Sequence, residues 1–260
     1  MELGAVRYFA INVETNAYRR DRIKSQCDRF GIPVEIFSAV TPATMDGIDS
    51  EYSERRTRRQ WGRPLLATEK ACGLSHLSLW RQLLADDAAD AYVIFEDDVE
   101  IQADLTEIIP EIVGPDVQFV KFSGQHARPK RRIKGLRDGR ALFKLAYGPL
   151  DASAYLLTKP GAKCLLAYCV TLHGAIDVLM DRAYEHGVSV FCVQPYPVQS
   201  LECFDPASPL FSDIGVRTAK YASDNSWLDL WHARAHRSRL SCKKRLAELA
   251  LWMERIQAGF

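Results

Sequence analysis

The residues best suited to chemistry in this 260-residue chain lie in one short run, Tyr92-Val93-Ile94-Phe95-Glu96-Asp97-Asp98-Val99-Glu100. Its first four side chains are β-branched or aromatic and predict a short buried strand. Its second half carries four carboxylates, which cannot stay buried without partners because their desolvation is too costly. The pattern predicts a core strand that presents clustered negative charge at its carboxyl end, where open α/β sheets bind ligands. Crowded carboxylate oxygens suit a hard divalent cation, Mn²⁺ or Mg²⁺, which can in turn hold phosphates. Residues two apart on an extended strand share a face, so Glu96, Asp98 and Glu100 are the expected metal ligands, Asp98 first, with Asp97 turned the other way. A strand break before Asp98 would undo that parity.

The elements that must position this run alternate along the chain. Residues 6–13 read as a first strand. Residues 16–30 read as an amphipathic helix on the spacing of Ile23, Cys27 and Phe30, with Gly31 as its stop. Residues 34–40 read as a second strand and 41–64 as irregular. Thr68 is a candidate cap for a helix reaching Asp86, packed through Leu74, Leu77, Trp80 and Leu84. Strands follow over 117–122, 141–147 and 153–158, the last two bridged by Gly148-Pro149. Pro160 fits the first turn of a helix ending near Cys169. A helix over 176–186 stops at Gly187, and 188–193 is a last strand. The expected class is α/β, a mostly parallel central sheet with helices on both faces. The expected division is a catalytic domain over 1–200 and a largely helical, basic extension over 201–260 packed on it.

Hydrophobic content of 47% and charged content of 26% fit a soluble globular protein. A net charge of +1 argues against a chain that coats nucleic acid. No apolar run approaches the ~20 residues of a membrane span. The N-terminus, Met1-Glu2-Leu3-Gly4-Ala5-Val6-Arg7, lacks the marks of a signal peptide, so the expected location is the cytoplasm. Seven cysteines with no CxxC pair fit reduced thiols, and Cys72, Cys164 and Cys192 are expected simply to pack.

Several segments, in order over roughly residues 5–200, together resemble glycosyltransferase family 25. Ile11-Asn12-Val13 with Arg19-Arg20 resembles the family's first strand and arginine-bearing helix. Gly31-Ile32-Pro33 through Ala39-Val40 resembles its second strand. Glu69-Lys70-Ala71-Cys72-Gly73-Leu74-Ser75-His76 is similar to its Glu-x-Gly-Cys-x-x-Ser-His signature, with Ala71 for the usual Gly. Phe95 to Val99 resembles its Glu-Asp-Asp motif, and Ala154 to Thr158 with Gly161-Ala162-Lys163 its late strand and helix. Ile176-Asp177 is similar to its Ile-Asp, with Ala175 where Pro is frequent. The match fades beyond about Gln199, where acceptor specificity is expected.

The resemblance implies a GT-A-type fold, a nucleotide-sugar donor and transfer with inversion. It makes UDP-galactose the leading donor and a lipopolysaccharide or lipooligosaccharide glycan the leading acceptor. Such a donor leaves as a diphosphate, and a divalent cation stabilises the charge that builds on it. Inversion needs a base for the acceptor hydroxyl. Asp177, at a helix start after His173-Gly174-Ala175, is the first candidate, and Asp151 in the Gly148-Pro149-Leu150-Asp151 turn is its rival. Asn12, Arg19, Arg20, Glu69, Ser75, His76 and Asp97 are the candidate donor contacts, the arginines through bidentate pairing with diphosphate.

Three basic clusters remain: Arg55 to Arg63, His126 to Arg140, and the six basic residues from Arg234 to Arg245. The third has no acidic residue between Asp229 and Glu248 and lies among Trp227, Trp231 and Trp252. Basic residues beside tryptophans suit peripheral contact with an anionic membrane, such as the cytoplasmic face of an inner membrane, or a phosphorylated glycolipid. Solvated helix faces are the plainer explanation. A metal-dependent phosphoester hydrolase would use the same carboxylates, but the six histidines form no HxH or HExxH spacing. Nucleic-acid binding lacks a motif, and strand-end carboxylates would repel phosphate.

Overall fold

The computed structural model describes residues 4–45, 51–201 and 226–258. Strand β1 (Val6–Asn12) leads into helix α1 (Ala17–Arg29), which Asn16 caps by accepting from the Arg19 backbone N–H. Ile23 and Cys27 are its buried stripe, and Gly31 follows at φ +64°, where a side chain would be strained. After β2 (Val34–Ser38), the stretch expected to be irregular contains α2 (Glu54–Trp61), capped by Ser53 and closed by Gly62. This helix has almost no apolar period, since Thr57 is its one buried residue.

Helix α3 (Ala67–Ala85) starts after Leu66 rather than at Thr68, because the Glu69 carboxylate accepts from the Leu66 backbone N–H at 2.9 Å. Leu74, Leu77 and Trp80 are buried, whereas Leu84 is 41% exposed and Leu79 and Leu83 take inward places. The acidic run forms β3 (Ala91–Glu96), a turn at Asp97-Asp98, and β4 (Val99–Ile101). Helix α4 (Leu105–Ile112) buries Leu105, Ile108, Ile109 and Ile112 at helical spacing. Then come β5 (Phe119–Lys121), β6 (Lys130–Gly135), β7 (Ala141–Leu145), β8 (Ala154–Thr158) and α5 (Lys159–Tyr168), which carries Pro160 in its first turn. The single helix expected over 176–186 is two short ones, α6 (Ile176–Met180) and α7 (Ala183–His186), broken where Asp181 turns inward to Lys121. The described residues end with β9 (Val190–Gln194), β10 (Val198–Ser200) and α8 (Trp227–Gln257). Of the stretch beyond Gln199 expected to carry acceptor specificity, residues 202–225 lie outside the described residues.

Eight strands form one sheet in the order β2-β1-β3-β8-β5-β9-β7-β6. The β1/β2, β1/β3 and β5/β9 pairs are parallel, and the β3/β8, β8/β5, β9/β7 and β7/β6 pairs antiparallel. The sheet is therefore mixed rather than mostly parallel. The departures lie at β7 and at β8, and β8 enters antiparallel between β3 and β5 with Ala154 opposite Phe95. That placement brings the 148–153 loop beside the acidic end of β3.

Both sheet faces are covered, which is why the strands read as continuous apolar runs. Phe9, Ile11, Tyr92 and Ile94 pack on α3 and α5, and Tyr8, Ala10, Val93 and Phe95 on α1 and α4. No helix among the described residues is long and apolar enough to cross a membrane.

Candidate active site

Alternation along β3 sorts the carboxylates. Glu96 continues the row of Tyr92 and Ile94 toward α3, and Asp97 that of Val93 and Phe95 toward α1. Asp97 accordingly accepts from Asn12 Nδ2 at 2.6 Å and from Arg19 Nη1 at 3.1 Å. Glu96 accepts from Ser153 Oγ at 3.2 Å and from Cys72 Sγ at 3.7 Å, and His76 Nε2 lies 3.4 Å from it. The turn at Asp97-Asp98 breaks the expected parity. Glu100 is exposed on β4 between buried Val99 and Ile101, across from Gln199, and does not line the cleft. Asp98 does line it, with one oxygen 4.0 Å from Arg19 and the other, Oδ1, buried without a hydrogen-bond partner.

The three carboxylates close one end of a cleft of ≈ 670 Å³ that opens to solvent. Ile11, Val13, Val40, Pro42 and Ala71 give it apolar walls. Burial, then the neighbouring charge of Asp151, raises the Glu96 carboxyl to about 7. Burial and the charge of Glu96 raise Asp98 to about 7, with Arg19 opposing.

Behind Glu96 stands a fixed chain of hydrogen bonds. Trp80 Nε1 donates to the Tyr155 hydroxyl at 2.8 Å, and that hydroxyl lies 2.8 Å from His76 Nδ1. With its oxygen already accepting, the Tyr155 hydroxyl donates to Nδ1, which assigns the proton of His76 to Nε2, facing Glu96. Burial and Lys121 hold His76 down at about 3, so it is a neutral brace for the acidic strand end. Ser75 also lines the cleft, but its hydroxyl receives the Val40 N–H at 2.9 Å and donates to the Ala71 carbonyl, latching β2 to α3.

The two candidate bases approach from other elements. Asp151 is buried, with Oδ1 accepting from the Ser153 N–H at 2.7 Å. Leu150 and Asp151 have φ of 57° and 99°, left-handed values that strain side chains other than glycine and persist only where surroundings enforce them. The enforcers are Lys121, which donates to the Asp151 carbonyl, and Asp181, which accepts from the Leu150 N–H and lies 3.0 Å from Lys121. Asp177 is half-buried at the start of α6 and accepts from the Val178 N–H at 2.9 Å. Its charge acts on Glu96, Cys72 and His76, so it belongs to the same electrostatic site.

Besides Glu100, five sequence candidates are not among the residues lining the cleft: Asn12, Arg20, Glu69, Asp151 and Asp177. Arg20 pairs with Asp21 at 3.3 Å. Glu69 is buried and bound by Arg63 through two 2.7 Å bonds, which ties the chain before α3 to its first turn. Arg19 does line the cleft, with its Nη1 on Asp97. The sequence reading missed Lys121, Asp181, Ser153, Tyr155 and the cleft position of Cys72. Lys121 had a signal, because a lysine within Phe119-Val120-Lys121-Phe122 needs a buried anion. Cys72 faces the cleft and Cys164 is exposed, so of the three cysteines expected to pack, Cys192 alone is buried.

This donor set fits a hard divalent cation. Asp98 offers a buried oxygen without a partner, Glu96 stands beside it, and the mutual repulsion that raises both would be relieved by a positive ion.

A lipooligosaccharide biosynthesis protein of Haemophilus influenzae is 26% identical over 226 residues, covering 80% of this chain and 82% of that one. The lacto-N-neotetraose biosynthesis glycosyltransferase LgtB of Neisseria meningitidis serogroup B is 34% identical over 165 residues, 60% of this chain and 59% of that one. A solved Drosophila β-1,4-galactosyltransferase 7 variant, in complex with manganese, UDP-Gal and xylobiose, overlaps with a TM-score of 0.39 and 11% identity, over 73% of this chain and 65% of that one. Residues 6–180, from β1 through the Ile176-Asp177 start of α6, match glycosyltransferase family 25 (LPS biosynthesis protein). The acidic strand end, the His76 brace and the strained loop all lie inside that match, and the chain belongs to glycosyltransferase family 25.

Proposed function

We propose that this chain is an inverting, cation-dependent hexosyltransferase that takes galactose from UDP-galactose and attaches it to a hydroxyl of a lipooligosaccharide-type glycan. The observation that carries this reading is the cleft itself. Its apolar walls suit a nucleoside, and its acidic end suits a cation-bound diphosphate. Asp98 and Glu96 would hold the cation, which when bound supplies Lewis-acid stabilisation of the departing diphosphate. Arg19 and Asn12 keep Asp97 paired, so the negative charge presented to the donor is concentrated on Glu96 and Asp98. Neutral His76 holds Glu96 without adding a charge that would compete with the cation.

Asp177 is the proposed base. It is half-buried, whereas Asp151 is buried with one oxygen engaged, so Asp177 is the easier of the two for an acceptor hydroxyl to reach. The donor sugar is read from the family resemblance, and one relative is named for lacto-N-neotetraose biosynthesis. The test is incubation with a panel of UDP-sugars and a lipooligosaccharide acceptor, with Mn²⁺, with Mg²⁺ and with chelator. Cation-dependent transfer from UDP-galactose with inverted linkage supports the reading. Transfer unaffected by chelator, or preference for another sugar, overturns the corresponding part.

A further inference from the structure

We propose that the outward face of α8 is an in-plane docking surface for an anionic lipid bilayer. At 1.5 Å per residue its 31 residues extend about 46 Å. The helix buries only Ala233, Leu240 and Leu251. Packing beside α2, with Leu230 and Ala233 against Gly62, and polar ties complete its attachment: Lys243 to Glu185 at 2.9 Å, Lys144 and Arg131 to Glu254 at 2.7 and 3.2 Å, and the Tyr147 hydroxyl to Glu248 at 2.7 Å. On the opposite side stand Trp227, Trp231, Leu246, Leu249, Trp252 and Ile256, each at least half exposed. Trp231 and Leu249 lie five whole turns apart on one line, and the buried Ala233 and Leu251 do the same on the other side. Apolar exposure is thus organised into a face that the described residues of the body leave uncovered.

Charge decides what fits this face. Arg234, Arg239 and Arg245 are exposed along it, with no acidic residue between Asp229 and Glu248. The helix's acids are engaged elsewhere, Asp229 by Ser226 and Glu248 and Glu254 by the body. A second copy of α8 would bring arginine against arginine. An anionic bilayer accepts both features, with tryptophans and leucines at the headgroup boundary and guanidinium groups on phosphate. Docking along the helix would hold the enzyme beside a lipid-linked acceptor, although the surface itself does not depend on the donor chemistry.

The test is flotation of the full-length protein with vesicles of phosphatidylcholine alone and with about one third phosphatidylglycerol, where each basic residue near the surface adds attraction. The expected result is at least tenfold stronger partitioning onto the anionic vesicles. It should fall several-fold as salt rises from about 0.1 M to about 1 M and the Debye length shrinks from about 10 to about 3 Å. The double variant Leu249→Glu/Trp252→Glu should lose this partitioning while keeping its melting temperature and sugar transfer. Equal recovery on both vesicles, no recovery on either, or undiminished binding by the double variant overturns the proposal. So does concentration-dependent dimerisation, measured by ultracentrifugation, that the double variant abolishes in the absence of vesicle binding, since the face would then belong to a second copy.

Discussion

At the residue scale the site is a balance between charge repulsion and burial. Glu96 and Asp98 are raised to about 7, chiefly by burial. A carboxyl whose folded value is raised binds its proton more tightly in the folded state. Its contribution to stability is therefore present below its unfolded value and is lost as pH rises through about 7. A cation needs the ionised forms, so its binding expels protons and strengthens over the same window. Thermal melts with and without Mn²⁺ should show a larger stabilising shift at about pH 8 than at about pH 5.5. Equal shifts at both would remove Glu96 and Asp98 as ligands. Asp98→Asn should weaken cation binding, read by calorimetry, and lower transfer by roughly a hundredfold or more. Asp177→Asn should still bind UDP-sugar while its transfer falls by about 10²–10⁴, the range of a positioned base. If that variant keeps near-normal turnover, the role passes to Asp151.

At the element scale the decisive joint is the loop between β7 and β8. Lys121 on β5 and Asp181 after α6 hold Leu150 and Asp151 in left-handed conformations beside Glu96. Gly148 belongs to the same clamp: its N–H donates to the Asp181 carbonyl at 3.0 Å, and an added Cβ would run into the Asp181 carboxylate. Lys121→Met should cost about 3–5 kcal/mol in a denaturant melt, because it strands a buried carboxylate. Adding Asp181→Leu to that variant should cost less than the sum of the two single changes, since the pair is removed together. Additive losses would mean that the two side chains do not act as a clamp. Neither member was legible as a pair. They stand sixty residues apart, and Asp181 lies inside a stretch whose apolar spacing reads as one continuous helix.

At the scale of the whole molecule, stability is unevenly spread. The centre of the sheet, β1, β3 and β8, is buried on both faces. The β6 edge carries Lys130, Arg131, Arg132 and Lys134, charges that discourage pairing with another chain. Helix α8 buries three side chains and packs beside α2, with Leu230 and Ala233 against Gly62, and its partly exposed ion pairs contribute little. Amide exchange should therefore be fastest in α8 and slowest in β3 and β8, measured on the intact protein away from lipid. Protection in α8 matching that of β3 would show a tighter attachment than its buried residues account for.

Much of the site could be read from the chain because it depends on local order. The apolar run before Glu96 makes a buried strand, and strand periodicity sends Glu96 and Asp97 to opposite faces. Tertiary structure decided what sequence periodicity does not encode. The turn at Asp97-Asp98 separates Glu100 from the cleft, and Arg63 draws Glu69 away from it. Strand β8 enters antiparallel and carries Ser153 and Tyr155 to the acidic strand end. A pattern of apolar residues records which face of an element is buried. It does not record which neighbour buries it, because strand order and direction are chosen by contacts distant in sequence.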